Sequence, residues 1–235
     1  MPHFKSLFGI DKDQVQKTCV LLPFVPSKSL ELLGIKGLTN GKLFASSSSP
    51  HLTVIKTGIG AALVGDSVLY LEDTPCENII FLGSCGLINP KAGLDIGSLV
   101  IPSTAYGWES FSDILNRRAT ESAPVSPNEK LLELFLKKAK TLIPTSTCAS
   151  FASLFLEDQW LPAFKKVNAD IIEVECFALL NASLKARKKA MALLFVADIL
   201  GEKPFNKELS LTDKKSLAEG ISQACKLIKN FAASI

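Results

Sequence analysis

The chain has 235 residues, 47% hydrophobic and 21% charged, with 26 Lys+Arg against 23 Asp+Glu and a net charge of +3. That composition excludes disorder as the main state, and the few surplus cations are too scattered for a nucleic-acid partner. The length suits a single domain, 1–235, that buries a full core without metal or disulfide staples.

The N-terminal stretch Met1–Asp13 lacks the long apolar segment of a signal peptide. Strands are predicted at Thr18–Phe24, Leu52–Lys56, Asn78–Leu82 and Ser98–Pro102, then at Asp170–Val174 and Ala190–Ala197. Several are continuously apolar, the pattern of strands covered on both faces. Ser46–Pro50 is a short loop, and Gly107–Val125 is the longest irregular stretch. Ser126-Pro127-Asn128-Glu129 predicts a capping box with Ser126 at the N-cap, opening a helix through Leu131, Leu132, Phe135 and Leu136. Ser210 opens the last helix, whose apolar stripe runs Leu217, Ile221, Ala224, Cys225, Ile228. Ala190–Ala197, the longest apolar run, is far short of the ~20 residues a membrane span needs, so a soluble protein is expected. Strand–helix alternation predicts an α/β sheet with helices on both faces.

Cys19, Cys76, Cys85, Cys148, Cys176 and Cys225 form no CxxC pair and sit mostly in apolar runs. They read as free thiols in a reducing cytoplasm. With His3 and His51 the only histidines, a three-histidine metal site is excluded.

Ligands of open α/β sheets bind beyond the carboxyl ends of strands. Four motifs fall there: Thr57-Gly58-Ile59-Gly60, Gly83-Ser84-Cys85-Gly86, Glu173-Val174-Glu175 and Asp198. Taken singly, each has a plain reading: glycine turns reverse the chain, an Asp caps a helix, glutamates face water. Together they place two glycine turns and two acidic groups on one edge of the sheet. An acid at the end of an apolar strand bears a desolvation cost unless it has a partner. Gly58-Ile59-Gly60 lacks the third glycine of a dinucleotide fingerprint, and no GxxxxGK[ST] occurs.

In this order and spacing the four motifs resemble the nucleoside phosphorylase superfamily. The likeness leans to its hydrolytic branch, the 5′-methylthioadenosine/S-adenosylhomocysteine and 6-amino-6-deoxyfutalosine nucleosidases. The resemblance implies a three-layer α-β-α sandwich around a mixed, mostly parallel twisted sheet. It implies Asp198 as the acid that protonates N7 of a leaving purine, and Glu175 as the carboxylate on the ribose hydroxyls. It further implies Ser84 near the ribose and water, Phe151 stacked on the base, and Val174 against the sugar, with Ile59 and Gly86 also touching substrate. No metal or organic cofactor is implied, and the partner is a small purine nucleoside rather than nucleic acid or membrane. A homodimer is usual for the family, but the segment near that interface departs from the family pattern here. The chemistry needs a protonated carboxyl on the base and an ionised carboxylate near an oxocarbenium-like sugar. An apolar strand end raises an Asp pKa in that direction.

The departures shape the functional expectation. The family's phosphorylases carry an arginine two residues before the GSxG glycine; here that position is Phe81, which favours hydrolysis. Glu31 is the only carboxylate between Asp13 and Asp66 and is the expected base for water. Lys28 takes the corresponding slot in a plain alignment, and could instead hold phosphate. An arginine usual four residues before the strand-end Asp is Leu194 here. Tyr106, Trp108 and Phe111, followed by Arg117 and Arg118, read either as a mobile surface loop with solvated arginines or as an aromatic 5′ pocket with a guanidinium at its mouth. The expected activity is hydrolysis of a 5′-substituted adenosine to adenine, with 6-amino-6-deoxyfutalosine favoured over methylthioadenosine. The alternative is a phosphate-dependent purine nucleoside phosphorylase.

Overall fold

A computed structural model describes residues 3–90 and 93–235; Met1 and Pro2 of the N-terminal stretch lie outside the described residues. In chain order the elements are α1 (Phe4–Phe8), β1 (Thr18–Leu22), α2 (Ser29–Leu33), β2 (Thr39–Asn40), β3 (Ala45–Ser48), β4 (Leu52–Lys56) and α3 (Ala61–Tyr70). Then come β5 (Asn78–Leu87), β6 (Leu99–Trp108), α4 (Phe111–Leu115), α5 (Glu129–Ala139), β7 (Thr145–Phe151) and α6 (Glu157–Lys166). The chain ends with β8 (Ile171–Glu173), α7 (Cys176–Lys185), β9 (Lys189–Ile199) and α8 (Leu211–Ala232).

The strands form one mixed sheet in the order β2-β3-β4-β1-β5-β8-β7-β6-β9. Parallel pairs dominate: β1 with β4 and β5, β5 with β9, and β7 with β6 and β8. Because β9 also pairs with β5, the last five strands close into a ring. Closure leaves these strands without an open edge. The central strands alternate between two cores. Ile79 and Phe81 of β5 pack with Val64, Val68, Leu179 and Leu180 beneath α3 and α7. Ile80 and Leu82 pack with Leu131, Phe135, Ile228 and Phe231 beneath α5 and α8. Burial on both faces is why these strands read as unbroken apolar runs. No helix among the described residues is long and apolar enough to cross a membrane.

Several boundaries differ from the expectation. Gly83-Ser84-Cys85-Gly86 is not a turn after the strand but lies inside β5, and Asp198 lies inside β9. The Ser/Thr-rich β7 has no apolar run to announce it. Gly107–Val125 is shorter as a loop, because β6 continues to Trp108 and α4 follows, capped by Ser110. Helix α5 is capped by Asn128, whose Oδ1 accepts from the Leu131 N–H at 3.1 Å, rather than by Ser126. Val125 bridges to Ala105, and the Asn128 N–H donates to Ala190, so the backbone stays extended through Ser126 and Pro127. Ser210 caps α8 as expected, accepting from the Asp213 N–H at 3.0 Å.

Helix α8 reaches the sheet through a glycine contact. A Cβ at Gly220 would lie 2.1 Å from the Gly97 carbonyl oxygen, in the turn before β6. Backbone on both sides leaves nothing that can yield. Gly220→Ala is therefore expected to destabilise the fold by about 1–3 kcal/mol. Gly65→Ala, in open space on α3, should stabilise by about 0.5–1 kcal/mol. Urea unfolding of the two variants checks both signs.

Candidate active site

β5 and β9 run in parallel from Asn78↔Lys189, and the register shifts between Cys85 and Gly86, so that Gly86 faces Asp198. A glycine inside a strand marks a bulge or a close approach, and here it marks both. A Cβ at Gly86 would sit 2.9 Å from Asp198 Oδ2. Bare backbone is what lets the Asp198 carboxylate turn toward the open space beside β5.

Glu175 is positioned by its neighbour Glu173. Glu173 is buried at the end of β8, and its Oε2 accepts from the N–H groups of Glu175 at 2.6 Å and Cys176 at 2.7 Å. These are orphan donors of the first turn of α7, where a carboxylate is favoured. Its Oε1 accepts from the Ser150 hydroxyl of β7 and from Cys148 Sγ at 3.4 Å. The Phe177 N–H in turn donates to Ser150 Oγ at 2.9 Å. With that turn locked, Glu175 Oε1 accepts from the Gly60 N–H at 2.7 Å. Gly58 and Gly60 hold φ of 85° and 124°, the left-handed region that favours glycine.

These groups line a cavity of ≈ 410 Å³. Ser84, Gly86, Val174, Glu175, Asp198 and the exposed Ile59 all face it, so the structure brings together most of the expected site. Glu173 completes one wall. A second cavity of ≈ 470 Å³ shares Leu154, Glu157, Asp198 and Phe205 with it.

Three expectations fail. Phe151 is buried away from the cavity, its ring 5.0 Å from Phe164 and 5.6 Å from Trp160, so it cannot stack on a ligand. Leu154 and Phe205, both exposed at the rim, offer the apolar faces instead. Glu31 is exposed on α2 and outside the cavity, as is Lys28. The aromatic 5′ wall is also absent from the lining. Trp108 packs T-shaped on Phe164 at 5.3 Å, Phe111 faces solvent, Arg118 pairs with Asp113 at 3.3 Å, and Arg117 reaches Gln159. One functional residue went unnoticed in the sequence: Glu157, in the first turn of α6, beside Asp198. The Glu157-Asp158 pair at a helix start has only the look of a dipole-favoured terminus.

Burial pushes the Asp198 carboxyl up to about 6. Burial, with the charge of Glu173 behind it, raises Glu175 to about 8, against the pull of the Gly60 N–H. Burial and then the charges of Asp198 and Asp158 raise Glu157 to about 8. The wall is thus a set of carboxylates that compete for ionisation, as catalytic carboxyl pairs do. Beneath it, Cys148, Glu173 and Cys176 bring three ligand-type atoms within 4.8 Å of one another. Burial pushes the Cys148 thiol up to about 11 and that of Cys176 well up too, and Glu173 is already occupied by donors. Neutral packed thiols fit this group better than metal ligands do.

Comparison with known proteins places this geometry in context. A purine nucleoside phosphorylase of DeoD type from Mycoplasma genitalium is 28% identical over 160 residues, a match spanning 65% of this chain and 65% of that relative. The crystal structure of the 5′-methylthioadenosine/S-adenosyl homocysteine nucleosidase of Campylobacter jejuni superposes with a TM-score of 0.73 at 16% identity, over 94% of this chain and 100% of that one. Uridine phosphorylase of Vibrio fischeri gives a TM-score of 0.75 at 16% identity, over 96% and 95%. At such identities the two structures establish the shared fold. The family model described as "Phosphorylase superfamily" matches residues 39–233, which takes in the two glycine motifs, the Glu173-Val174-Glu175 turn and Asp198. The chain belongs to the phosphorylase superfamily.

Proposed function

We propose that the chain hydrolyses the N-glycosidic bond of a 5′-substituted adenosine, releasing adenine and the free modified ribose. The observation that carries this reading is the polarity of the cavity wall. Its carboxyl side chains, among the described residues, are Glu157, Glu173, Glu175 and Asp198, no Lys, Arg or His lines it, and burial keeps the Cys85 thiol neutral. A phosphate dianion entering there meets like charge at short range in a partly desolvated site, whereas water meets none. Phe81 supports the same conclusion: where the resemblance puts a phosphate-gripping arginine in phosphorylases, it is fully buried in the core.

Asp198 donates its proton to N7 of the purine while the C1′–N9 bond breaks and its electron pair leaves with the base. The ionised Glu175 faces the ribose hydroxyls and the cationic sugar carbon. Water held at Ser84 adds to C1′ and sheds a proton to solvent. Glu31 has no part in this step, because it lies outside the cavity. Tyr106, Trp108 and Phe111 are likewise outside it, so they lend no support to 6-amino-6-deoxyfutalosine over methylthioadenosine. The second reading, a phosphate-dependent purine nucleoside phosphorylase, is favoured by the similarity to the Mycoplasma genitalium purine nucleoside phosphorylase of DeoD type.

The free cavity ionises in the reverse of the reactive order: Asp198 at about 6, Glu175 at about 8. Between those values the pair carries one proton. In the free cavity that proton rests mainly on Glu175, the group pushed up further. Substrate corrects the order, since ribose O–H donors favour Glu175 as carboxylate and its charge then favours a protonated Asp198.

Base release from methylthioadenosine in phosphate-free buffer tests the hydrolase reading. Turnover is expected to persist, with free sugar as product; dependence on phosphate and a sugar 1-phosphate product would overturn it. Asp198→Asn should lower kcat by ~10²–10⁴-fold with substrate binding retained. The pH profile gives an independent check. Wild-type kcat/KM is expected to be bell-shaped, rising through about 6 and falling through about 8, as the pair goes from two protons to one to none. In Asp198→Asn, Glu175 is the one member of that pair left to titrate, so the falling limb should vanish and the residual rate should rise with pH to a plateau.

A further inference from the structure

We propose that the second cavity, beyond Asp198, is a subsite for an apolar group carried on the 6-amino nitrogen of the purine, so that N6-alkylated and N6-arylated adenine nucleosides are substrates. The inference rests on the reading that Asp198 meets N7 of a purine, and it names the class of base.

The two cavities overlap at one end only. Leu154, Glu157, Asp198 and Phe205 line both. Ser84, Val174 and Glu175, the groups set against the ribose and water, line the first cavity and not the second. The shared walls are therefore those that meet the base. The order through the site is Glu175, then Asp198, then the second cavity. A purine nucleoside has the same order: the sugar on N9, then N7, then the exocyclic nitrogen at C6, on the same edge of the base as N7. With N7 at Asp198, N6 comes next to that carboxyl. A substituent on N6 then leads away from the sugar, out of the first cavity and into the second.

The walls of the second cavity, ≈ 470 Å³, suit an apolar group. Leu154, Phe155 and Phe205 are 53%, 89% and 73% exposed, and Leu200 and Pro204 join them in the lining. None of the three exposed residues belongs to the packed cores of the fold. Large apolar side chains left in water around a cavity mark a surface that a ligand covers. The polar residues of the lining are Glu157, Asp158, Asp198 and Asn206, with no Lys, Arg or His among them. The Glu157 carboxyl has no ion pair among the described residues. It is open to accept the one N–H that a monosubstituted amine keeps. An anionic substituent would instead meet three carboxyl groups with no cation to offset them. The subsite thus selects by charge as well as by size.

Base release from three substrates, with and without phosphate, tests this: 5′-methylthioadenosine, its N6-benzyl derivative and its N6-(4-carboxybenzyl) derivative. The benzyl compound is expected to exceed the unsubstituted one about tenfold in kcat/KM. The carboxybenzyl compound should fall about tenfold below the benzyl one. Phe155→Ser removes an apolar wall and Asn206→Trp fills the space, and both residues line the second cavity and not the first. Each variant should lower the benzyl-to-unsubstituted ratio about threefold or more. Because that ratio is taken within one variant, a loss of folded protein cancels from it. A wild-type ratio of one or less would overturn the subsite, as would a ratio unchanged in both variants. Equal rates for the benzyl and carboxybenzyl compounds would overturn it too, since N6 would then point into water. A requirement for phosphate would sink the hydrolase reading and leave the ratios, measured with phosphate present, to decide the subsite. If no base is released from any compound, the functional reading fails by itself. Calorimetric binding of adenine and N6-benzyladenine then decides: tighter binding of the benzyl base, lost in Asn206→Trp, upholds the subsite, and equal binding rejects it.

Discussion

Strands β5 and β9 pair in parallel over their whole length, and their register shifts once, between Cys85 and Gly86. Before the shift the two strands are core, with Ile80 and Leu82 on one face and Ile79 and Phe81 on the other. Around it they are site, with Ser84 just before the shift and Gly86 of β5 and Asp198 of β9 just after it. One bulge therefore converts a packed pair of strands into a pair that presents an acid. The same pairing closes the ring through β6, β7 and β8, and so brings Ser150 and Glu173 against the other wall. Removing the bulge would move Asp198 out of opposition to Gly86, the one place where missing side-chain atoms make room for it.

Glu173 supplies the rigidity on that other wall. A buried carboxylate is costly unless its lone pairs are filled. Here two α7 N–H groups and the Ser150 hydroxyl fill them. One of the donors held by Glu173 is the backbone N–H of Glu175, so the satisfied carboxylate acts as a splint for the next but one residue. The cost of the buried charge reappears as the upward push on Glu175. Stability of the turn and the reactivity of its neighbour thus come from one interaction.

What could be read in the sequence follows from where side chains are buried. Strands covered on both faces have to be apolar, so β1, β4, β5 and β9 were legible, and with them the acids at their ends. The mixed, mostly parallel sheet with flanking helices agrees with the resemblance that Asp198 and Glu173-Val174-Glu175 carried. Strand β7 was hidden because its Ser150 faces a carboxylate instead of the core. The Gly83–Gly86 run was taken for a turn, because local propensity cannot tell a reversal from a bulge that a partner strand holds extended. Phe151 and Glu31 failed for different reasons. Glu31 rests on being the one carboxylate in its stretch, and it lies on α2 away from the cavity, whereas Phe151 rests on its place in a strand, where a one-position shift turns a side chain to the opposite face. Phe151 turned into the core of Trp160 and Phe164, while the rim was left to Leu154 and Phe205.

The distribution of charge keeps cations away from the acid. Acid catalysis on a purine needs a carboxyl that keeps its proton, which burial and neighbouring carboxylates promote and a nearby cation would undo. Burial meets that need at Asp198, and an ammonium beside it would hold Asp198 ionised. The lysines nearest the cavity stand apart from its carboxylates, past an apolar divider. Leu217 and Ile221 on α8 are that divider, with carboxylates on the sheet side and Lys28, Lys215 and Lys226 on the solvent side. Helix α8 is held in place by its glycine contact with the turn before β6. The contact that fixes the helix on the sheet therefore also keeps the two charge fields apart.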